Sequence, residues 1–381
     1  MGRLAIIGAG FAGWRAARAL RAAAHEVTVF EPRAAAEMLP ALPDLAGGWL
    51  EPRLLSAPLA NLLPKGMRHD RRLVTSLDPV RRVLLLGGDE TPPFDGILLA
   101  TGSRAAPHPF AERAEAVHTL DSISGALRLR DAFARYLARA RDAHVVVAGG
   151  GYTGLELSAS LAARAWREGR ACRVTVLEAG PDILPFLPDS RRAAVRLGLR
   201  RLGVDVHTGV RVERFDGADV KAGGETLRDV FLCWTAGSIY SGPELSAPMA
   251  RLRDGRLLVQ NDLSLPGNPA IFVAGDAAAV TAHGEPLRKA VNFAWYEGAH
   301  AARNLLRRAR GAAAIPFQPV DLGWVIPLHT TSVGRLPGGL WVRGRLGLRL
   351  HYLMCGVRNF RFTNRLGFAR LALTLFGRNG A

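Results

Sequence analysis

One short pattern occurs twice in this 381-residue chain, each time within the same succession of elements. Residues 4–8 form an apolar run that enters Gly8-Ala9-Gly10-Phe11-Ala12-Gly13. A helical stretch at 14–24 follows, then a second apolar run at 27–30 that ends on Glu31. Residues 144–148 likewise enter Gly149-Gly150-Gly151-Tyr152-Thr153-Gly154. A helical stretch at 155–167 follows, then an apolar run at 174–177 that ends on Glu178. First glycine and acid are 23 residues apart in one copy and 29 in the other. Strand, glycine turn, helix, strand and acid in this order describe a βαβ unit able to hold a dinucleotide. A pyrophosphate needs backbone N–H groups aimed at it and no side chain in the way. Gly8 and Gly149 permit the tight turn, Gly10 and Gly151 the close backbone approach, and Gly13 and Gly154 the packing of helix on strand. Glu31 and Glu178 then stand where a carboxylate can accept hydrogen bonds from an adenosine ribose. A carboxylate at 178 also repels a 2′-phosphate, which favours NADH over NADPH, with Arg173 and Arg211 as opposing basic residues.

The rest of the chain fits an α/β fold. Residues 38–66 read as loops with short helices, 80–99 as strands around a Gly87-Gly88-Asp89 turn, and 121–140 as a helix. Strands are expected at 230–234, which leads toward Gly237, and at 270–274, and a helix at 287–309. Two small-residue turns close strands: Ala100-Thr101-Gly102 and Ala274-Gly275-Asp276. Taken alone, a Gly-Asp turn is ordinary. Two Rossmann-like domains are expected, the second (121–255) inserted into the first (1–120 and 256–325), followed by a C-terminal region at 326–381.

Composition narrows the function classes. A content of 49% hydrophobic and 22% charged residues fits a globular protein and excludes global disorder. The formal charge of +17 is uneven: nine arginines lie from Arg335 onward, and no acid follows Asp321. A basic tail implies an anionic partner. The chain has only three lysines, so its arginine surplus reads as a compositional habit, and nucleic acid is not expected. Three cysteines, Cys172, Cys233 and Cys355, lie far apart, which excludes a disulfide framework and a zinc site of close-spaced cysteines. A reduced compartment and no metal follow. No leader and no membrane-spanning helix are expected.

With its four motifs in this order, the chain resembles the two-dinucleotide-binding-domain flavoproteins. The resemblance implies FAD at Gly8, Gly10, Phe11, Ala12, Gly13, Glu31, Pro32, Arg33, Val74, Ala100, Thr101, Gly102, Gly275 and Asp276. It implies NADH at Gly149, Gly151, Tyr152, Thr153, Gly154, Glu178 and Gly237. Members that reduce disulfides carry CxxxxC or CxxC beside the flavin, and this chain has neither. It is most similar to the type II NADH dehydrogenases, single-chain NADH:quinone oxidoreductases that pump no protons. The likeness rests on Leu42-Pro43-Asp44-Leu45-Ala46-Gly47-Gly48, on Gly154-Leu155-Glu156-Leu157, and on residues 317–323 and 332–334, which resemble C-terminal strands of that family. Glu156 is implied near the flavin as a proton donor or a contact to nicotinamide or quinone; two residues into a helix, a glutamate is equally a favourable N-terminal charge. Where the family has two glutamines, Asn292 and Tyr296 stand here, which keeps hydrogen-bonding capacity and changes its reach. The acceptor is an ordinary quinone, a naphthoquinone or another molecule. Lys289 and Ala290, at the start of the helix, are expected to place positive charge beside the flavin.

Residues 359–376 show Phe362, Leu366, Ala369, Leu373 and Phe376 at helical spacing, with Arg358, Arg361 and Arg365 off that stripe. A basic amphipathic helix of this kind suits an anionic membrane surface; the alternative is a terminal helix on the protein's own core. Peripheral attachment on the cytoplasmic side of the cell membrane follows from the first, lost on truncation after Gly356 and weakened by salt. A homodimer is left open. The rival readings are a reductase of a ferredoxin- or rubredoxin-type carrier and an NADH-responsive regulatory flavoprotein.

Overall fold

Runs such as 3–7 and 143–148 have no polar face, and only a sheet covered on both sides by helices accepts such strands. The computed structural model, which describes residues 2–282 and 284–374, builds two such sheets, one parallel throughout and one parallel but for the short edge strand Ser264–Leu265. Its helices are α1 (Phe11–Ala19), α2 (Leu42–Ala46), α3 (Pro52–Leu55), α4 (Ile123–Arg139), α5 (Tyr152–Arg167), α6 (Asp189–Arg200), α7 (Val291–Ala309), α8 (Gly344–Arg358) and α9 (Phe362–Thr374). The chain forms two compact units of three segments each. The first takes residues up to 36, 57–104 and 238–322; the second takes 37–56, 105–237 and residues from 323 on.

In the first unit Arg3–Ile7 lies between Glu26–Phe30 and Gly96–Leu99, both parallel to it. Asn268–Val273 extends the sheet beyond Gly96–Leu99, and Arg68–Asp70 extends it beyond Glu26–Phe30. The second unit repeats the arrangement. Ala143–Ala148 lies between Cys172–Glu178 and Val230–Trp234, with Val204–Thr208 and Val117–Thr119 outside them. The repetition extends to single hydrogen bonds. The N–H of Gly8 donates to Phe30 O at 2.8 Å, and that of Gly149 donates to Leu177 O at the same distance.

Several expected boundaries move. Both glycine-turn helices begin earlier, at Phe11 and Tyr152, because Gly10 and Gly151 are themselves the N-cap residues. Helix α1 ends at Ala19 and α7 starts at Val291, after extended backbone at Ala290. Residues 317–322 form no strand; Pro316 and Pro319 remove ladder donors there, and the antiparallel meander begins at Trp324–Leu328. Residues 332–334 do lie in a strand, Thr331–Arg335, which pairs with Trp341–Arg343. Helix α8 was not foreseen and packs on this meander.

Helix α9 corrects the expectation of an amphipathic terminal helix. The stripe singled out in the sequence faces outward: Phe362, Leu366 and Leu373 are 71%, 44% and 69% exposed. A second row, Asn364, Phe368 and Ala372, is buried. Asn364 donates to Ser56 O at 3.1 Å, and Asn359 donates to Leu54 O at the same distance. Apolar residues therefore occupy both faces. Phe376 lies outside the described residues.

Candidate cofactor and redox site

The first glycine turn is closed on one side and open on the other. Gly8 has φ +95°, and a Cβ there would stand 2.4 Å from Ala100 O; a Cβ on Gly13 would stand 1.9 Å from Gly8 O. A Cβ on Gly10 would meet nothing within 4 Å. Phe11 and Ala12 open α1, whose N-terminus has no side-chain cap and carries the positive end of the helix dipole. Glu31 is buried and accepts from Ala9 N–H at 3.0 Å and from Arg33 Nε at 2.9 Å. Burial alone would raise this carboxyl, but Arg33 and the two backbone donors outweigh it and hold Glu31 below the usual range. Pro32 joins the two residues, and Val74 is buried in the same unit.

The Ala100-Thr101-Gly102 and Gly275-Asp276 turns also belong to this unit. Ser103 Oγ donates to Asp276 Oδ2 at 2.9 Å, and burial raises the Asp276 carboxyl. Arg256, Asp276, Lys289 and Glu297 line one cleft. Lys289 is not a free cation there: its Nζ lies 3.1 Å from Asp254 and donates to Ser238 O and Oγ. Arg256 pairs with the same Asp254 at 2.9 Å. Burial would raise Asp254, yet the two cations and a backbone donor keep it low. Asn292 is buried and donates to Val320 O, while Tyr296 is half-buried. Ala290 is the N-cap residue of α7, which lacks a side-chain cap.

Glu297 carries no signal in the sequence beyond its neighbour Gly298. It is 3% exposed, and its Oε2 accepts from Gly275 N–H at 2.6 Å, which fixes the turn that carries Asp276. Burial first, and then the Asp276 charge, pushes its carboxyl up to about 8. A raised carboxyl pKa means that the folded state holds a proton the unfolded chain has lost, so this contribution falls away as pH rises from about 4.5 toward 8. Glu297→Gln keeps the acceptor and removes the charge. It should melt above the wild type at pH 8.5, by about 2 °C or more, with the gap closing toward pH 5. Thermal unfolding across that pH range checks it.

The second unit repeats the open turn. Gly149 has φ +110°, a Cβ on Gly154 would stand 2.0 Å from Gly149 O, and a Cβ on Gly151 would meet nothing within 4 Å. Helix α5, which begins with Tyr152 and Thr153, has no side-chain cap at its N-terminus. The Tyr152 ring lies 5.3 Å from Phe186 and 6.0 Å from Trp324. Glu178 accepts from Gly150 N–H and Gly180 N–H, each at 2.6 Å, which orients its carboxylate and leaves lone pairs for a ribose. Gly237 follows Val230–Trp234 with φ +88°. These two turns fit two dinucleotides: each has backbone donors beside a space that a side chain would fill.

Glu156 lies one helical turn into α5, half-buried, with no hydrogen bond or ion pair among the described residues. Burial and the Asp44 charge raise its carboxyl well above the usual range. The cysteines form no close-spaced pair. All three are free, Cys233 and Cys355 are buried, and burial pushes Cys172 up to about 11 and the other two higher still. Among the described residues no group of three or more His, Cys, Asp or Glu side chains is placed to hold a metal.

The family model described as pyridine nucleotide-disulphide oxidoreductase matches residues 2–304. The chain belongs to that family. It is 29% identical to an NADH dehydrogenase-like protein of Mycobacterium tuberculosis over 87% of this chain and 88% of that protein. It is 31% identical to a type II NADH:quinone oxidoreductase of the same organism, over 84% of this chain and 76% of that one. Among solved structures, NDH2 of Plasmodium falciparum, in complex with NADH, superimposes with a TM-score of 0.86 over 98% of both chains at 15% identity, a likeness of fold. This member of the pyridine nucleotide-disulphide oxidoreductases is an oxidoreductase built on two dinucleotide-binding domains, and its three cysteines are free and widely separated in sequence.

Proposed function

We propose that this oxidoreductase takes a hydride from NADH through FAD and delivers the electrons to a membrane quinone without pumping protons. The observation that carries the reading is a likeness spanning most of the chain to a type II NADH:quinone oxidoreductase, in a protein whose sequence has no CxxC or CxxxxC pair. The first turn, with Glu31, Asp276 and Lys289, holds FAD; the second, with Glu178, holds NADH. When bound, the flavin accepts the hydride and returns two electrons to the acceptor. The chain's own residues orient the two nucleotides and handle the proton, for which Glu156 is the donor. Asn292 and Tyr296 supply the polar groups at the positions of the family's glutamines. An anaerobic titration of the purified protein should bleach the flavin absorbance on adding NADH and restore it on adding a menaquinone or ubiquinone analogue. Recovery with an iron–sulfur carrier alone, or a stable reduced state with every acceptor, would reject the quinone reading.

The C-terminal helices supply the membrane contact. Among the described residues no helix is long and apolar enough to cross a membrane. Leu346, Leu353 and Val357 on α8 and Phe362, Leu366 and Leu373 on α9 are exposed, together with Arg343, Arg345, Arg361 and Arg370. Exposed apolar side chains interspersed with arginines suit insertion among anionic lipid headgroups. Truncation after Gly356 would also remove the buried Phe368 and Asn364, so substitution is the cleaner test. Replacing Phe362, Leu366 and Leu373 together by serine should weaken flotation with phosphatidylglycerol vesicles about tenfold or more while flavin content is kept.

A further inference from the structure

Behind Glu156 lies a buried group that the reading above does not use. Asp44, on α2, is 8% exposed, and among the described residues it has no cationic partner. Its Oδ1 accepts a hydrogen bond from the Tyr352 hydroxyl on α8 at 3.1 Å, across 308 residues of sequence. Helix α2 packs on α4 and on α5, the helix that carries Glu156. The groups acting on this cluster are few. Glu156 feels Asp44; Asp44 feels Tyr352; Tyr352 feels Asp44, Cys355 and Glu156. His351, next to Tyr352, contacts Cys355 Sγ at 3.6 Å and is kept uncharged at neutral pH by burial, which lowers it to about 4. The cluster thus holds two carboxyls and one phenol, and among the described residues neither carboxyl is paired with a cation. Two buried carboxyls on packed helices, neither with a cationic partner among the described residues, disfavour ionising together.

We propose that Asp44 and Tyr352 are positioning residues that serve Glu156 as one proton relay during quinone reduction. The inference rests on the activity proposed above. Conversion of NADH and a quinone to NAD⁺ and quinol takes up one proton in addition to the hydride. The Glu156 O–H bond breaks as a quinol O–H bond forms, Asp44 returns a proton to Glu156, and water replaces the proton on Asp44. No protein group changes oxidation state. Tyr352, by donating to Oδ1, holds Asp44 in one orientation and favours its ionised form. Burial works against that bond, and the balance leaves Asp44 at about 7, close to the working pH of a proton shuttle.

The test is an infrared pH titration of the oxidised, FAD-loaded protein, following the protonated-carboxyl stretch, paired with stopped-flow of the quinone half-reaction. Wild type should retain protonated carboxyl at neutral pH and lose it in steps that include one from each of Asp44 and Glu156 beside that of Glu297, which is identified by its absence from Glu297→Gln. Asp44→Asn should abolish one step and move that of Glu156 to lower pH, and should slow the quinone half-reaction about 10–100-fold. Tyr352→Phe, which removes the bond that favours ionised Asp44, should move one step to higher pH and shift the pH–rate profile with it. An Asp44→Asn titration identical to wild type overturns the relay, as does a Tyr352→Phe shift to lower pH. Failure of quinone to reoxidise the wild-type protein overturns the activity and the relay with it. An altered titration with normal quinone kinetics overturns the relay alone.

Discussion

Gly8→Ala should yield a colourless protein. At φ +95° an alanine is strained whatever the surrounding space, and here its Cβ would lie 2.4 Å from Ala100 O and 2.9 Å from the Thr101 Cα. Both obstacles are backbone, so no rotamer change relieves them. The strand Gly96–Leu99 and the turn after it would have to move, and they flank the first glycine turn. The turn would open, α1 would lose its aim, and the N–H groups offered to the pyrophosphate would diverge. Flavin content measured by absorbance after purification should fall at least tenfold, with NADH oxidation lost in proportion. A yellow variant with normal flavin content would show that the first turn does not hold FAD.

The same substitution in the other copy, Gly149→Ala, should give the opposite colour result. Gly149 has φ +110°, and its Cβ would meet Thr235 and Ala236 backbone atoms at 2.9 Å. All of these residues lie in the second unit, whereas the turn proposed to hold FAD lies in the first. The protein should therefore purify yellow, while the rate of flavin bleaching by NADH falls about 100-fold or more and reduction by dithionite is unaffected. Comparison of the two variants separates a flavin site from a nicotinamide site without a ligand-bound structure. A colourless Gly149→Ala protein, or one reduced by NADH at the normal rate, would contradict the assignment of roles to the two turns.

What the sequence made legible was local. A glycine turn between a buried strand and a helix is dictated by backbone sterics within about a dozen residues, so Gly8, Gly13, Gly149 and Gly154 could be assigned a task from spacing alone. Glu31 and Glu178 followed because a strand of known length delivers its last residue to the end of the sheet at which the turn lies. Asp254 was invisible: its pairing with Lys289 and Arg256 depends on folding and turns an expected free cation into a bound one. Glu297 was invisible for a related reason, since a glutamate inside a helix looks solvated until Gly275 is found beside it. The partnership of Asp44 with Tyr352 bridges nearly the whole chain, and no period or motif connects them. The terminal stripe was seen, but which way it faces depends on Phe368 and Asn364 occupying the inner side. An apolar period reports that a helix has a face, not whether protein or lipid covers it.

Each compact unit is stitched from three separated stretches of chain, the second of them closing only with residues beyond 323. A ribosome releasing this polypeptide from its N-terminus therefore completes neither half early. The first parallel sheet waits for Asn268–Val273 to extend it, and Asp44 waits for Tyr352. Nascent chains stalled before that point carry open sheet edges and uncovered apolar helices, the surfaces on which chaperones act. Expression of either half as a continuous fragment would reproduce the same exposure, so domain dissection here calls for grafted linkers rather than simple truncation.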